Sequence, residues 1–155
     1  RMNDREHASE APARGDRVGE LGYSPMDRVH GEFEELLRRA AKPQRQDWLE
    51  ILAAIDNHLR EHFEAENCWM RETDFPPRDC HMDEHAAVLR SSGEVLSLAR
   101  QGNVEPAPRF LDELRRWFPR HADHLDSALA AWMCKRQYGG KPVVFHRSTG
   151  DAASV

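Results

Sequence analysis

Four segments with the same periodic pattern limit the fold of this chain more than any other feature. Between Met26 and Tyr138, apolar residues and histidines recur at spacings of three and four residues, the repeat of an amphipathic α-helix. Helix-breaking residues interrupt the pattern at Pro43, Pro76, Pro77 and Gly102. No strand pattern competes with these segments. The sequence therefore predicts an all-α protein.

The interruptions set the predicted helix boundaries. Helix A runs from Met26 to just before Lys42-Pro43, and helix B runs from about Asp47 to Arg71, with Phe75-Pro76-Pro77 as its stop. Helix C runs from an N-cap near Asp79 to Gly102-Asn103. Helix D runs from about Ala107 to Tyr138. Short linkers make consecutive helices antiparallel neighbours. We expect an up-down-up-down four-helix bundle.

The chain of 155 residues suits one domain with a single core. Residues 21–138 form the predicted bundle. Residues 1–20 are polar, contain glycine and proline and lack apolar periodicity, so we expect a flexible N-terminal tail. Residues 139–155 form a C-terminal extension to which the sequence assigns no role.

Composition excludes several classes of protein. No window approaches the roughly 18 apolar residues of a membrane span, and the N-terminus lacks the apolar run of a signal peptide, so we expect a cytoplasmic protein. The net charge of −5 comes from interleaved acids and bases, which argues against a nucleic-acid partner. Cys68, Cys80 and Cys134 form no C-x-x-C pair, and we interpret them as reduced thiols.

Histidines and carboxylates lie on the core-facing stripe of every predicted helix, where unpartnered polar groups are costly. Seven residues have this placement: His30 on helix A, His62 and Glu66 on helix B, His81 and His85 on helix C, and His121 and Asp126 on helix D. Residues four apart share one helix face, whereas His121 and Asp126 are five apart. With nine histidines in the chain a single pair means little, but one set in each helix predicts a metal site.

The number of ligands favours two metal ions. One zinc ion takes four ligands, whereas imidazole mixed with carboxylate suits iron. If Glu66 and Asp126 each bridge two six-coordinate irons, five histidines and four carboxylate oxygens fill nine of the twelve positions. A bridging oxygen fills two more. The position that stays open on a reducible metal suits dioxygen.

Residues from about Leu21 to Tyr138 resemble the bacterial hemerythrin-like proteins. The matching motifs are LGYSPMDRVHGEF, HFEAEN, HMDEH and WFPRHADHLD, one in each helix. The resemblance implies a non-heme di-iron centre that binds dioxygen. By position, it places His81, His85 and His121 on one iron and His30 and His62 on the other, with Glu66 and Asp126 as bridges. The open position would belong to the iron with two histidines.

The chain departs from the family pattern at three positions. His58 stands where a tyrosine is usual, Asn67 stands where a second glutamate often follows the bridging one, and Pro119 lies within helix D. Pro119 removes a backbone hydrogen bond and is expected to bend the helix. These differences concern the polarity of the pocket and the rate of autoxidation more than metal binding.

Several other residues invite a functional interpretation. Trp117 and Phe118 precede His121 closely and are candidates for the wall of a dioxygen pocket. We expect His58 to be half-buried or exposed rather than an eighth ligand. His124 and the histidines of the two terminal segments, His7 and His146, are interpreted as non-ligands, and the same holds for Cys68 and Cys80.

The motif HMDEH also matches the H-x-x-E-H of one class of zinc peptidases. In that hypothesis Glu84 is the general base between two zinc ligands. It leaves the other five core histidines and carboxylates unexplained. The hemerythrin interpretation instead places Glu84 at the edge of the bundle or in solvent, where its substitution should be nearly silent.

We expect a protein that stores, delivers or senses dioxygen without turnover. One alternative is a weak di-iron oxidoreductase that acts on peroxide or nitric oxide. Another is a sensing module whose iron state is detected by a separate protein partner.

Overall fold

The computed structural model describes residues 19–41 and 47–139. Its elements are α1 (Ser24–Arg39), α2 (Trp48–Glu72), α3 (Arg78–Arg100), α4 (Ala107–His121), a π-helical segment (Ala122–Asp126) and α5 (Ser127–Tyr138). The last three elements follow one another without a break and form the fourth helix of the bundle. The described residues contain helices and no strand, so the predicted all-α bundle is confirmed. The predicted tail falls almost wholly outside the described residues, as does the C-terminal extension beyond residue 139.

Two helices end in the same hydrogen-bonded motif. After α2, the Asp74 N–H donates to the Arg71 carbonyl and the Phe75 N–H to the Met70 carbonyl. Asp74 has φ of 51°, the left-handed conformation that this ending requires. Helix α2 therefore ends at Glu72, before the predicted stop at Phe75-Pro76-Pro77. Helix α3 ends likewise, with the Gly102 N–H donating to Ala99 and the Asn103 N–H to Leu98.

The prediction that Asp79 caps helix α3 is wrong. Pro77 occupies the N-cap position, and Asp79 lies in the first turn. Proline can begin this helix because the first N–H groups have no partner within the helix. Asp79 still adds negative charge to the positive end of the helix dipole.

The fourth helix contains a π-helical turn that the sequence analysis did not predict. The Ser127 N–H donates to the Ala122 carbonyl, five residues earlier. In an α-helix, residues five apart point about 140° away from each other. The wider turn brings His121 and Asp126 to the same face. Helix α4 continues through Pro119, which lies two residues before His121.

The apolar core consists of two clusters. The larger cluster contains Phe33, Leu37, Ala40, Leu52, Ile55, Leu59, Phe63, Leu96, Ala99, Ala107, Phe110, Leu111, Leu114 and Phe118. The smaller cluster contains Tyr23, Met26, Met70, Phe75, Leu129, Ala130, Met133 and Cys134. Along the chain, each set of predicted histidines and carboxylates falls between residues of the two clusters; on α3, His81 and His85 lie between Phe75, just before the helix, and Leu96. A buried polar layer therefore separates the two halves of the core.

A second buried polar group joins α2 to α3 away from that layer. The Ser92 hydroxyl donates to Asp56 Oδ1 at 2.8 Å, and Arg60 Nε donates to Asp56 Oδ2 at 2.8 Å. Asp56 is only 8% exposed, so these donors replace the water that its carboxylate loses on folding.

None of the described helices combines the length and the apolar character needed to cross a membrane.

Candidate metal centre

The structure brings all seven predicted core histidines and carboxylates together in the middle of the bundle. None of the seven is more than 5% exposed. They form two groups that share their carboxylates: one with His81, His85 and His121, the other with His30 and His62, both with Glu66 and Asp126. We call the first group the three-histidine subsite and the second the two-histidine subsite.

In the three-histidine subsite, three imidazole Nε2 atoms converge on two carboxylate oxygens. The Nε2 atoms of His81 and His85 lie 3.1 and 3.2 Å from His121 Nε2. Asp126 Oδ1 lies 2.9 Å from His81 Nε2 and 3.0 Å from His121 Nε2. Glu66 Oε2 lies 3.1 Å from His85 Nε2 and 3.4 Å from His81 Nε2.

The two-histidine subsite uses the other oxygen of each carboxylate. His30 Nε2 lies 3.0 Å from Asp126 Oδ2 and 3.8 Å from Glu66 Oε1. His62 Nε2 lies 2.8 Å from Glu66 Oε1. Glu66 and Asp126 therefore span both subsites, one oxygen in each.

These distances fit metal coordination. For bonds of about 2.1 Å, adjacent ligands of an octahedral ion lie about 3.0 Å apart. The Nε2 atoms of His81, His85 and His121 cannot all donate to one another, because a neutral imidazole that has its proton on Nδ1 presents only a lone pair at Nε2. Asp126 Oδ1 and Oδ2 and Glu66 Oε2 are buried without a hydrogen-bond partner among the described residues. A cation at each subsite would satisfy these atoms.

The electrostatics of the cluster also favour positive charge. Burial disfavours the charged form of His30 and His81, but contacts with Asp126 and Glu66 outweigh it and raise the pKa of each imidazole from 6.5 to about 9. Burial likewise opposes ionisation of Glu66 and Asp126, yet the surrounding imidazoles hold the pKa of both carboxyls below its usual value. The pKa of His85 is lowered, chiefly by burial. Two ionised carboxylates at the centre require a cation, either a proton or a metal.

Two polar side chains contact the outer nitrogens of this cluster, and the sequence analysis missed both contacts. Asn67 Oδ1 lies 2.8 Å from His85 Nδ1. Glu84 Oε1 lies 3.4 Å from His121 Nδ1 and accepts from Trp117 Nε1 at 3.2 Å. Glu84 lies at the edge of the bundle, as predicted, and there it contacts His121. The one available signal was the position of Asn67 directly after Glu66.

The two predicted pocket residues lie at different subsites. Phe118 is buried and packs edge to face against His30, with ring centroids 5.1 Å apart. Trp117 stacks on His121 at 4.3 Å. Phe118 thus borders the two-histidine subsite, and Trp117 borders the three-histidine subsite.

The residues interpreted as non-ligands lie outside the cluster wherever the structure describes them. His58 is half-buried and stacks on Phe33, with ring centroids 5.4 Å apart. His124 and Cys80 are exposed, and the half-buried Cys68 donates to Glu64 Oε1. His7 and His146 lie outside the described residues.

The peptidase hypothesis has no support in this geometry. A zinc peptidase needs its two histidines to face a cleft that admits a peptide, but His81 and His85 are 1% and 0% exposed. Glu84 contacts the outer nitrogen of His121 rather than the face where the Nε2 atoms meet.

A four-helix bundle with histidines and shared carboxylates at its centre defines a metal-binding helical bundle. The sequence-family model of the hemerythrin HHE cation binding domain matches residues 21–133 of this chain. A bacteriohemerythrin of Ralstonia nicotianae (strain ATCC BAA-1114 / GMI1000) is 36% identical over 116 residues, which cover 75% of this chain and 85% of that relative. The chain belongs to the hemerythrin family. No solved structure matches it significantly.

Proposed function

We propose that this chain holds two iron ions and binds dioxygen reversibly. The observation that supports this most is the placement of Glu66 and Asp126, each of which has one oxygen in each subsite. This arrangement suits a pair of ions better than one. Imidazole and carboxylate together are ligands that suit iron, and a reducible iron pair would supply the electrons that bind dioxygen.

The two subsites differ in a way that favours ligand binding at one of them. The three-histidine subsite offers five protein atoms, and the two-histidine subsite offers four. An octahedral ion beside His30 and His62 therefore has the greater number of positions free for a small molecule. We infer that dioxygen binds on this side.

Aromatic side chains surround both subsites. Phe118 and Phe33 pack together beside His30, with ring centroids 4.8 Å apart, and Phe63 stacks on His85 at 4.0 Å. A dry pocket limits proton access and thereby favours reversible binding over oxidation of the centre. We propose Phe118 as a wall of the dioxygen pocket, and for Trp117 a role in holding His121.

Metal analysis and visible spectra of aerobic and reduced protein test the proposal. We expect about two irons per chain and a charge-transfer band that changes reversibly with oxygen. Steady-state consumption of peroxide or nitric oxide would favour the alternative, a weak oxidoreductase. A chain purified with one iron, or with none after reconstitution, would contradict the di-iron assignment.

Substitution of single ligands tests the site itself. We expect His30→Ala and Asp126→Ala to lower the iron content, because both side chains are buried in the cluster and no other described residue can replace them. The matched control is His124→Ala, which removes an exposed histidine of the same helix as Asp126 and should keep the iron of the parent. Unchanged iron and an unchanged spectrum in either ligand variant would remove that residue from the site.

A further inference from the structure

We propose that Asn67 and Glu84 are positioning residues that make the three-histidine subsite the tighter of the two. This inference rests on the proposed pair of irons and concerns how the pair is held. Both residues contact histidines of that subsite from outside, at Nδ1, and neither belongs to the cluster of ligand atoms.

Asn67 fixes the orientation of His85. With a metal at Nε2, the imidazole proton is on Nδ1, and it is donated to Asn67 Oδ1 at 2.8 Å. Phe63 stacks on the same ring, with an interplanar angle of 5°. The hydrogen bond sets the direction of the ring in its plane, and the stacking sets the plane.

Glu84 acts on His121 in the same way. Its Oε1 faces His121 Nδ1 at 3.4 Å and also accepts the N–H of Trp117, whose ring stacks on His121 with an interplanar angle of 25°. The Glu84 side chain is 44% exposed, whereas that of His121 is 1% exposed. The contact therefore links a buried histidine to a carboxylate that is nearly half exposed to solvent.

The two-histidine subsite lacks such support. Nδ1 of His30 and Nδ1 of His62 are buried and have no hydrogen-bond partner among the described residues. His81 Nδ1 is also without one. Support from outside thus reaches two of three histidines at one subsite and neither histidine at the other.

Outer hydrogen bonds of this kind fix the imidazole tautomer and raise the basicity of the coordinating nitrogen, and their loss typically lowers metal affinity about 10- to 100-fold. The three-histidine subsite therefore has both more ligands and better-oriented ligands. We expect its metal to leave last. Removal of Asn67 or Glu84 should loosen that metal alone.

Release of iron to a chelator measures this difference. Reduced protein, kept anaerobic and mixed with an excess of a ferrous chelator, should lose its iron in two phases of one iron each. His30→Ala should abolish the fast phase, which assigns that phase to the two-histidine subsite. Asn67→Ala and Glu84→Ala should each speed the slow phase about tenfold or more and leave the fast phase unchanged.

Matched variants separate positioning from general damage. Asn57→Ala makes the same change at an exposed site of α2, and Asp83→Ala removes the exposed carboxylate next to Glu84. Both should release iron as the parent does. Asn67→Asp and Glu84→Gln keep an acceptor oxygen and should keep the slow phase within a few-fold of the parent.

The reduction potential gives a readout that packing alone would not change. Asn67→Asp adds a negative charge behind His85 and should lower the potential, whereas Glu84→Gln removes one behind His121 and should raise it. These two variants also serve if an alanine variant fails to fold.

Release of both irons at one rate, an unchanged slow phase in the alanine variants, or potentials that do not move would overturn the inference while the di-iron centre stands. A chain that holds no iron would instead overturn the proposed function and this inference with it.

Discussion

At the scale of single residues, the bundle depends on buried polar groups that satisfy one another. The contact between Asp56 and Ser92 is one such pair. Asp56 receives hydrogen bonds from Ser92 and from Arg60, which compensate the charge of its nearly buried carboxylate. Each lost donor leaves that charge less well compensated.

Ser92→Ala should destabilise the protein by about 1–2 kcal/mol, because it leaves a buried charged acceptor without its best-buried donor. For a domain of this size the melting temperature should fall by roughly 2–4 °C for each kcal/mol. Chemical and thermal denaturation measure the change. The control is Ser91→Ala, which alters the exposed neighbouring serine and should change stability by no more than about 0.5 kcal/mol. Equal effects at the two serines would contradict a role for the contact with Asp56.

The sequence predicted which residues cluster better than it predicted what surrounds them. All seven predicted residues meet in the structure. Helical phase places the residues of the first three helices on the core-facing stripes, and the π-helical turn brings His121 and Asp126 to one face. The contacts of Asn67 and Glu84 depend on which ring of a neighbouring helix lies opposite, and periodicity within one helix contains no such information. His58 could be interpreted as half-buried from its place at the edge of the stripe, which the structure bears out.

At the scale of elements, helix existence and approximate length followed from apolar periodicity, whereas helix ends did not. The end of α2 is set by the left-handed backbone at Asp74 rather than by the prolines after it. The π-helical turn at Ala122–Asp126 was missed because an apolar stripe looks continuous across one added residue. The five-residue spacing of His121 and Asp126 was the visible sign of it.

Asp74→Gly should stabilise the protein by about 0.5–1 kcal/mol, since glycine adopts the left-handed conformation without the steric cost of a side chain. Replacement of aspartate by glycine within a helix should instead lower the free energy of unfolding. Asp83→Gly, at an exposed position of α3, should destabilise by about 0.3 kcal/mol, the difference between the helix propensities of the two residues. Denaturation of both variants beside the parent measures the pair, and a loss of stability in Asp74→Gly would show that the aspartate side chain stabilises the turn.

At the scale of the whole molecule, a buried polar layer divides the core. Apolar clusters lie on both sides, and between them the bundle buries five imidazoles and two carboxylates. Without metal, that layer contains several polar atoms without partners. The proposed metals would therefore stabilise the middle of the bundle as well as bind the ligand.

Metal removal should lower the melting temperature. A site occupied at 100 times its dissociation constant contributes about 2.7 kcal/mol, and each kcal/mol corresponds to roughly 2–4 °C at this size, so a fall of more than about 5 °C is expected. Calorimetry of chelated and reconstituted protein measures it. Reconstitution should restore the melting temperature of the untreated protein. A chelated form that melts with the loaded form would place the metal outside the core.

The shared carboxylates also determine how mutations act. Each histidine of the cluster contributes a donor atom to one subsite only, so its loss would leave the other subsite with its full set of donors. Glu66 and Asp126 each reach both subsites, so the loss of either would remove a donor from the two together. We therefore expect the seven positions to differ in their tolerance to substitution, with the two carboxylates tolerating it least.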